Sequence, residues 1–275
     1  VSAVPESHSS IVRVLKLKSG EEVVLKLPWN PTKFERERNA LKVLAKFPLT
    51  PRLLDQSSGK SGQDALLMSR LPGRPIRSTR ACSLRLAEQI GETLAGLHGA
   101  KMPDLKSEGP IKDWWGAMAA TVQGALARCR ANQAHRDWDQ VEKVFVAAVG
   151  KLPKVGPFRF AHFDFRLGNL LQKDGQLSGV VDFESSRNGS ADFDLAEISL
   201  RGWERDPALK RAMLRGYGRV RPVPAHLERT TPVYGLYQSL ARVNWCLKRK
   251  DTGGTFYASN RRALRKFARE LAQKS

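Results

Sequence analysis

Residues 160–183, reading FAHFDFRLGNLLQKDGQLSGVVDF, constrain this chain more than any other stretch. A short polar loop carries His162, Asp164 and Asn169, and two apolar runs follow it on either side of Asp174-Gly175. That dipeptide closes a tight β-hairpin readily, because the central residues of such a turn need positive φ. The hairpin returns Asp182 to the neighbourhood of the loop. Two carboxylates and an amide, with no cysteine or histidine cluster beside them, are oxygen donors suited to a hard divalent cation such as Mg²⁺. Phosphate chemistry is the candidate they mark.

The N-terminal segment alternates as IVRVLKL and EEVVLKLP around Lys18-Ser19-Gly20, a hairpin signal. Lys26 is the lone charge in a strand that reads as buried on both faces, and a buried ammonium needs an anionic partner. A helix is predicted over residues 31–47, with Asn30 as N-cap and Pro31 at its first position. Phe34, Leu41 and Leu44 mark its inward face. Glu37 shares that face and is the natural partner of Lys26, whereas Glu35 falls on the wet side with Arg38, Asn39 and Lys42.

Residues 52–54 and 65–68 flank SSGKSG as a second hairpin, and SRLPGRP then reads as a linker. It divides the chain into lobes at residues 1–70 and 71–275. Helices are predicted over 84–97, 111–130, 137–149, 207–217, 225–250 and 257–273. Asp194 with Glu197 three residues on reads as a capping box opening a further helix. Trp114-Trp115 reads as core. Strands first and helices afterwards give an α+β chain with a cleft near residue 70, where ligands are expected.

Composition bounds the function class. A chain of 275 residues with 41% hydrophobic and 27% charged composition buries a substantial core. The absence of a long apolar run excludes a membrane span, and VSAVPESHSS lacks the basic start and apolar core of a signal peptide, so a cytoplasmic protein is expected. Cys82, Cys129 and Cys246 lie far apart without metal-ligand spacing, which fits free thiols in a reducing compartment. Of the formal charge of +20, residues 201–275 contribute most, with 18 basic against 5 acidic residues. Arg261, Arg262, Arg265, Lys266 and Arg269 recur there at helical spacing, a basic surface that attracts acidic partners of any kind. No helix-turn-helix, RNA-binding or zinc motif accompanies it, so no specific nucleic acid is expected.

Phosphoryl transfer asks a protein mainly for positioning and charge compensation. Asp164 can accept or orient the proton of an attacking hydroxyl. Asn169 and Asp182 can hold a metal, and Lys26, steadied by Glu37, can reach phosphates from the other lobe. This ordered set resembles the aminoglycoside phosphotransferase and choline kinase superfamily. His162-Phe163-Asp164 with Asn169, and Val181-Asp182-Phe183-Glu184, look like its catalytic loop and metal motif. Residues 189–196, GSADFDLA, resemble its next motif, in which the second aspartate caps a helix and supports the catalytic loop. Leu25-Lys26, Arg36-Glu37, Leu66, Met68 and Leu94-Ala95-Gly96-Leu97-His98 follow the same order, so the resemblance covers residues 7–200.

The resemblance implies a bilobal protein-kinase-like fold, with a small N-terminal antiparallel sheet lobe carrying one helix and a larger, mainly helical C-terminal lobe. It implies ATP in the cleft, with the backbone of Met68, Ser69 and Leu71 against adenine, Asp164 as base, and Asn169 and Asp182 on Mg²⁺. No Gly-x-Gly-x-x-Gly precedes the first hairpin, so Ser9 and Ser10 would take the phosphate-loop role. Glu184 stands where protein kinases carry glycine, favouring a small-molecule kinase. Arg166 either adds fixed positive charge to the transition state or holds the loop by hydrogen bonds.

The expected acceptor is a small-molecule hydroxyl compound, neutral or anionic, because the acceptor-side helices are the most basic part of the chain. A polycation would need carboxylates, of which Glu184, Asp192, Glu197, Glu204 and Asp206 are available. The competing readings are a non-catalytic basic binding protein, either a pseudokinase or a nucleic-acid-associated module, and a protein kinase.

Overall fold

The computed structural model describes residues 2–3, 9–58, 63–105, 109–132, 137–203 and 206–274. Its N-terminal lobe is an antiparallel sheet in the order β1-β2-β3-β5-β4, formed by β1 (Ser2–Ala3), β2 (Ser10–Lys16), β3 (Glu22–Pro28), β4 (Leu53–Ser57) and β5 (Ala65–Ser69). Gly20, at φ +88°, closes the first turn. In the central strand Lys26 lies between Val12 and Leu66, flanked by apolar partners, as its sequence context predicts.

Helix α1 (Pro31–Val43) starts as predicted: the Asn30 side chain accepts from the Thr32 N–H at 2.8 Å. It stops short of Phe47. The Thr50 hydroxyl donates to the Leu44 and Phe47 carbonyls, at 3.1 and 3.0 Å, satisfying acceptors that a longer helix would have bonded internally. Phe34, Glu37, Ala40 and Leu41 form the buried face.

The connection into the C-terminal lobe runs through Gly73, at φ +101°, to β6 (Arg74–Pro75), which pairs with β8 (Leu170–Lys173). Beyond it come α2 (Leu84–Leu97), α3 (Trp114–Asn132), α4 (Asp137–Gly150), β7 (Arg159–Ala161), β9 (Gln176–Val180), β10 (Arg187–Gly189), α5 (Ala191–Ile198), α6 (Pro207–Val220), α7 (Leu227–Lys248) and α8 (Thr255–Gln273). No helix among the described residues is long and apolar enough to cross a membrane.

Two apolar cores hold this lobe. The first joins α2, α6 and the β8–β9 hairpin to Phe34, Leu41, Leu66 and Met68 of the N-terminal lobe, so both lobes close on shared packing. Helices α2 and α6 approach so closely that a Cβ on Gly91 would sit 2.0 Å from the Met213 carbonyl oxygen, and one on Gly216 would sit 2.0 Å from that of Glu88. The second core packs α3, α4, α5, α7 and α8 around Trp114, Trp138, Phe145, Tyr234 and Phe267. The basic stripe of α8 takes part in it: Arg261 lies over the Trp138 ring at 4.5 Å, and Arg265 pairs with Asp137. Part of the basic character that stood out in the sequence is therefore packing by cations over rings and beside carboxylates.

The capping box expected at Asp194 is not formed. Helix α5 begins three residues earlier, with Ser190 at the cap position, and Asp194 lies in its first turn. Its carboxylate is engaged elsewhere, as described below, and Glu197 is buried against Arg242 at 2.6 Å.

Candidate active site

The loop before β8 is held from behind. Phe163 takes the left-handed conformation at φ +62°, which costs a residue with a side chain about 1–2 kcal/mol. The Asp194 carboxylate offsets this by accepting from the backbone N–H groups of His162 and Phe163, at 2.6 and 2.9 Å. Its Oδ2 also meets His98 Nε2 at 3.1 Å, and His98 Nδ1 meets the Tyr217 hydroxyl at 2.9 Å. Burial pushes the Tyr217 hydroxyl well above its ordinary range, so it stays protonated and donates. His98 thus joins the Tyr217 hydroxyl to the Asp194 carboxylate, one partner on each ring nitrogen. His162 bridges from Nε2 to the Val181 carbonyl at 3.1 Å, tying the loop to the far end of the hairpin.

Asp164 projects from this loop half-buried. Its Oδ2 accepts from Asn169 Nδ2 at 2.9 Å and from Arg166 Nε at 3.1 Å, and Asn169 Nδ2 also donates to the Asp164 carbonyl. Gly168 makes room for Arg166, since a Cβ there would lie 2.5 Å from the guanidinium. The hairpin forms with Asp174 and Gly175 at φ +52° and +73° and sets Leu170 opposite Val180. The Val181 N–H donates to the Asn169 carbonyl at 3.0 Å, which brings Asp182 beside Asn169 in space.

Across the cleft, Lys26 Nζ lies 2.7 Å from Glu37, 2.7 Å from Asp182 and 3.0 Å from Glu184. Glu184 also meets Lys33 at 2.6 Å and accepts from the Ser9 hydroxyl at 2.5 Å. Burial by itself would lower the Lys26 pKa; Asp182, Glu37 and Glu184 together hold it well above its ordinary value. Burial pushes Glu37 up to about 7, more than Lys26 pulls it down. Burial also opposes the charge on Asp182, yet Lys26 holds that carboxyl below the usual range. Charges this desolvated persist only because each has close opposite partners. Glu37, Asp182 and Glu184 present oxygens close enough together for one cation, and the donor set of Asp182, Asn169 and Glu184 is all oxygen, as Mg²⁺ requires.

Met68 is buried, while Ser69 exchanges hydrogen bonds with the Arg52 backbone, its N–H donating at 2.9 Å and its Oγ accepting at 2.8 Å. Leu71 lies over β9, where a Cβ on Gly179 would come within 2.6 Å of its side chain. The segment from Met68 to Leu71 thus forms the edge where β5 passes onto the hairpin. Ser10 is buried in β2, and Ser9 reaches Glu184 through its side chain.

Of the sequence-derived site residues, Lys26, Glu37, Asp182 and, through Glu184, Ser9 meet in one cluster, and Asp164, Arg166 and Asn169 in a second. Two further contributors, Lys33 and Tyr217, were not named from the sequence, and Glu184 and His98 were named there without the partners they have here. Lys33 had a legible signal, lying four residues before Glu37 on the same helix face. Tyr217 had none, because nothing local to α6 reports a histidine on α2. Glu204 lies outside the described residues.

A family model described as the phosphotransferase enzyme family matches residues 3–232. A homoserine kinase from Neisseria meningitidis serogroup B is 32% identical over 181 residues, covering 59% of this chain and 56% of that protein. The chain spans about half the length of the curated relatives it matches. Among solved structures, an aminoglycoside phosphotransferase in ternary complex with ADP and hygromycin B superposes with a TM-score of 0.76 at 16% identity, covering 98% of this chain and 92% of that one. A putative fructosamine-3-kinase from Thermobifida fusca gives 0.74 at 22% identity, covering 99% and 93%. These likenesses show a protein-kinase-like fold.

Proposed function

This chain belongs to the phosphotransferase enzyme family, and we propose that it transfers the γ-phosphate of ATP, with Mg²⁺, to a hydroxyl group of a small molecule. The observation that carries the reading is the convergence of Lys26, Asp182 and Asn169 on the cleft that Asp164 faces. Asp182 and the Asn169 amide oxygen would hold Mg²⁺, which when bound neutralises charge developing on the phosphates. Lys26, whose three N–H groups all meet carboxylates here, would turn one of them from Asp182 to a phosphate oxygen as Asp182 takes the metal, with Glu37 fixing its position. The acceptor oxygen forms a bond to the γ-phosphorus as the bond from that phosphorus to the β,γ-bridging oxygen breaks. Its proton passes to the Asp164 carboxylate, and ADP leaves. Arg166 and Asn169 aim that carboxylate. Met68, Ser69 and Leu71 offer the edge for adenine, with Ser9 and Ser10 near the phosphates. That a fold neighbour was solved with ADP supports nucleotide in this cleft.

The acceptor reading remains neutral or anionic. Of the carboxylates named for a polycation, four are engaged within the protein: Asp192 accepts from Ser190 and Tyr234, Glu197 pairs with Arg242, Asp206 caps α6, and Glu184 holds Lys26 and Lys33. Homoserine, named for the relatives, is the first compound to assay. We place the reaction in the cytoplasm, where the free thiols Cys82, Cys129 and Cys246 stay reduced. A screen of hydroxyl compounds with MgATP and mass detection tests the function. A phosphate addition lost in Asp164→Asn is expected; ATP consumption indifferent to Asp164 would refute the assignment.

A further inference from the structure

Glu184 gathers three donors of the N-terminal lobe. Its Oε1 accepts from the Ser9 hydroxyl at 2.5 Å and from Lys33 Nζ at 2.6 Å, and its Oε2 lies 3.0 Å from Lys26 Nζ. The two lysines therefore stand one carboxylate apart. Ser9 is tied to the same piece of chain, because its carbonyl accepts from the Trp29 N–H at 3.1 Å, just ahead of α1. Burial and Asp182 oppose the charge on Glu184, yet Lys26, Lys33 and Ser9 keep its carboxyl below the ordinary range, so it lies among them as an anion.

Lys33 stands where local stability does not favour it. It lies in the first turn of α1, which carries no acidic residue, and the helix dipole disfavours a cation there. Its side chain is one-third exposed, against 6% for Lys26, and Glu184 is the one partner its ammonium has among the described residues. An ammonium has three donors, so two remain for a ligand. The grip of Glu184 on Lys26 is its weaker arm, since Oε2 lies within ionic range but makes no hydrogen bond among the described residues. Glu37, Asp182 and Glu184 also outnumber Lys26 and Lys33, an excess of negative charge that a divalent cation relieves.

Resting on the phosphotransferase reading above, we propose that Ser9, Lys26 and Lys33 form one cradle for the nucleotide's polyphosphate, with Lys33 on the terminal phosphate, and that Glu184 is an internal competitor for the same donors. A carboxylate and a phosphate take lysine donors alike, as charge-assisted hydrogen bonds. Lys26 lies opposite Leu66, two residues along β5 from Met68. From the proposed adenine edge Lys26 is thus reached first and Lys33, on α1, second. ADP ends one phosphate earlier and reaches Lys26 alone. Apparent affinity falls with the share of molecules in which Glu184 holds the donors, and Asp182 and Glu184 turning to a divalent cation would free them.

Calorimetric titration of the full chain with ADP and with the non-hydrolysable β,γ-imido analogue of ATP, each in Mg²⁺ and in EDTA, tests the cradle. In Mg²⁺, Lys33→Gln should weaken the ATP analogue roughly 10- to 100-fold, the range of a charge-assisted hydrogen bond, and ADP less than about threefold. Lys33→Arg should recover most of the loss. In EDTA, Glu184→Gln should tighten the ATP analogue by up to about tenfold, and more than it tightens ADP, whereas a purely structural glutamate would leave both unchanged or weaker. Glutamine keeps the shape and still accepts from Ser9 and Lys33, and Lys33→Gln decides the phosphate contact by itself. Equal losses for ADP and the analogue in Lys33→Gln, or no loss, would overturn that contact. An analogue affinity unchanged or lowered by Glu184→Gln in EDTA would overturn the competition. Either result leaves the phosphotransferase reading standing where the wild-type chain binds nucleotide and hydroxyl phosphorylation is lost in Asp164→Asn. Failure of the wild-type chain to bind either nucleotide would sink both.

Discussion

The cluster around Lys26 and the cavity lined by Phe163 and Trp114 are built in opposite ways. The cleft gathers one ammonium among Glu37, Asp182 and Glu184, and its geometry holds only while every partner is present. The cavity wall is made of rings whose contacts are individually weak and mutually replaceable. A buried ionic cluster is intolerant of deletion because a lost partner leaves a desolvated charge behind, whereas an aromatic wall loses packing in proportion to what is removed.

The sharpest break of that comparison is Asp164→Asn, which keeps the shape of the loop while removing the proposed proton acceptor. Turnover should fall by about 10²–10⁴, with the melting temperature nearly unchanged. Lys26→Met comes next: it should reduce turnover and also cost about 3 kcal/mol of stability, because three carboxylates then face one another without their cation. Denaturant titration in the presence and absence of MgATP separates the two effects. Gly216→Ala tests packing away from both sites. Its Cβ would meet the Glu88 backbone, so a loss of about 1–3 kcal/mol is expected with KM for ATP unaffected. Trp114→Phe, on the cavity side, should cost about 1–2 kcal/mol while leaving nucleotide affinity intact.

A pH slope gives a further test. Glu37 titrates at about 7 in the folded chain and near 4.5 when unfolded. Between those values the folded state binds more protons, so this group's contribution to stability declines as pH rises from about 4.5 to 7. Asp182 is shifted the other way, and its contribution is lost only as pH falls below the ordinary carboxylate range. Denaturation of metal-free protein across that window should therefore show a shallow decline that Glu37→Gln removes. A decline of equal size in the variant would reassign it.

Much of the cleft was legible because its signals are local. Asn30 and Pro31 start α1, the three- and four-residue spacing puts Glu37 on its buried face, and Asp174-Gly175 folds the hairpin. Each depends on residues a few positions apart. Asp194 was misread for the same reason. Its spacing to Glu197 has the form of a capping box, but its partners are the N–H groups of His162 and Phe163, 32 and 31 residues away, the loop support that only the family resemblance implied. The stripe on α8 looked like free surface charge until α4 supplied Trp138 and Asp137 beneath it.

Residue order alone settles the strand and helix periods, the tight turn at Asp174-Gly175 and the identities of the groups able to bind metal or take a proton. These follow from backbone sterics and side-chain chemistry within a few residues. Tertiary packing decides that Lys26 serves three carboxylates, that Tyr217 and His98 stand behind the loop, that α2 and α6 close up at Gly91 and Gly216, and that side chains from several elements line a cavity with Phe163. Those outcomes depend on distances between segments far apart in the chain, which no local pattern encodes.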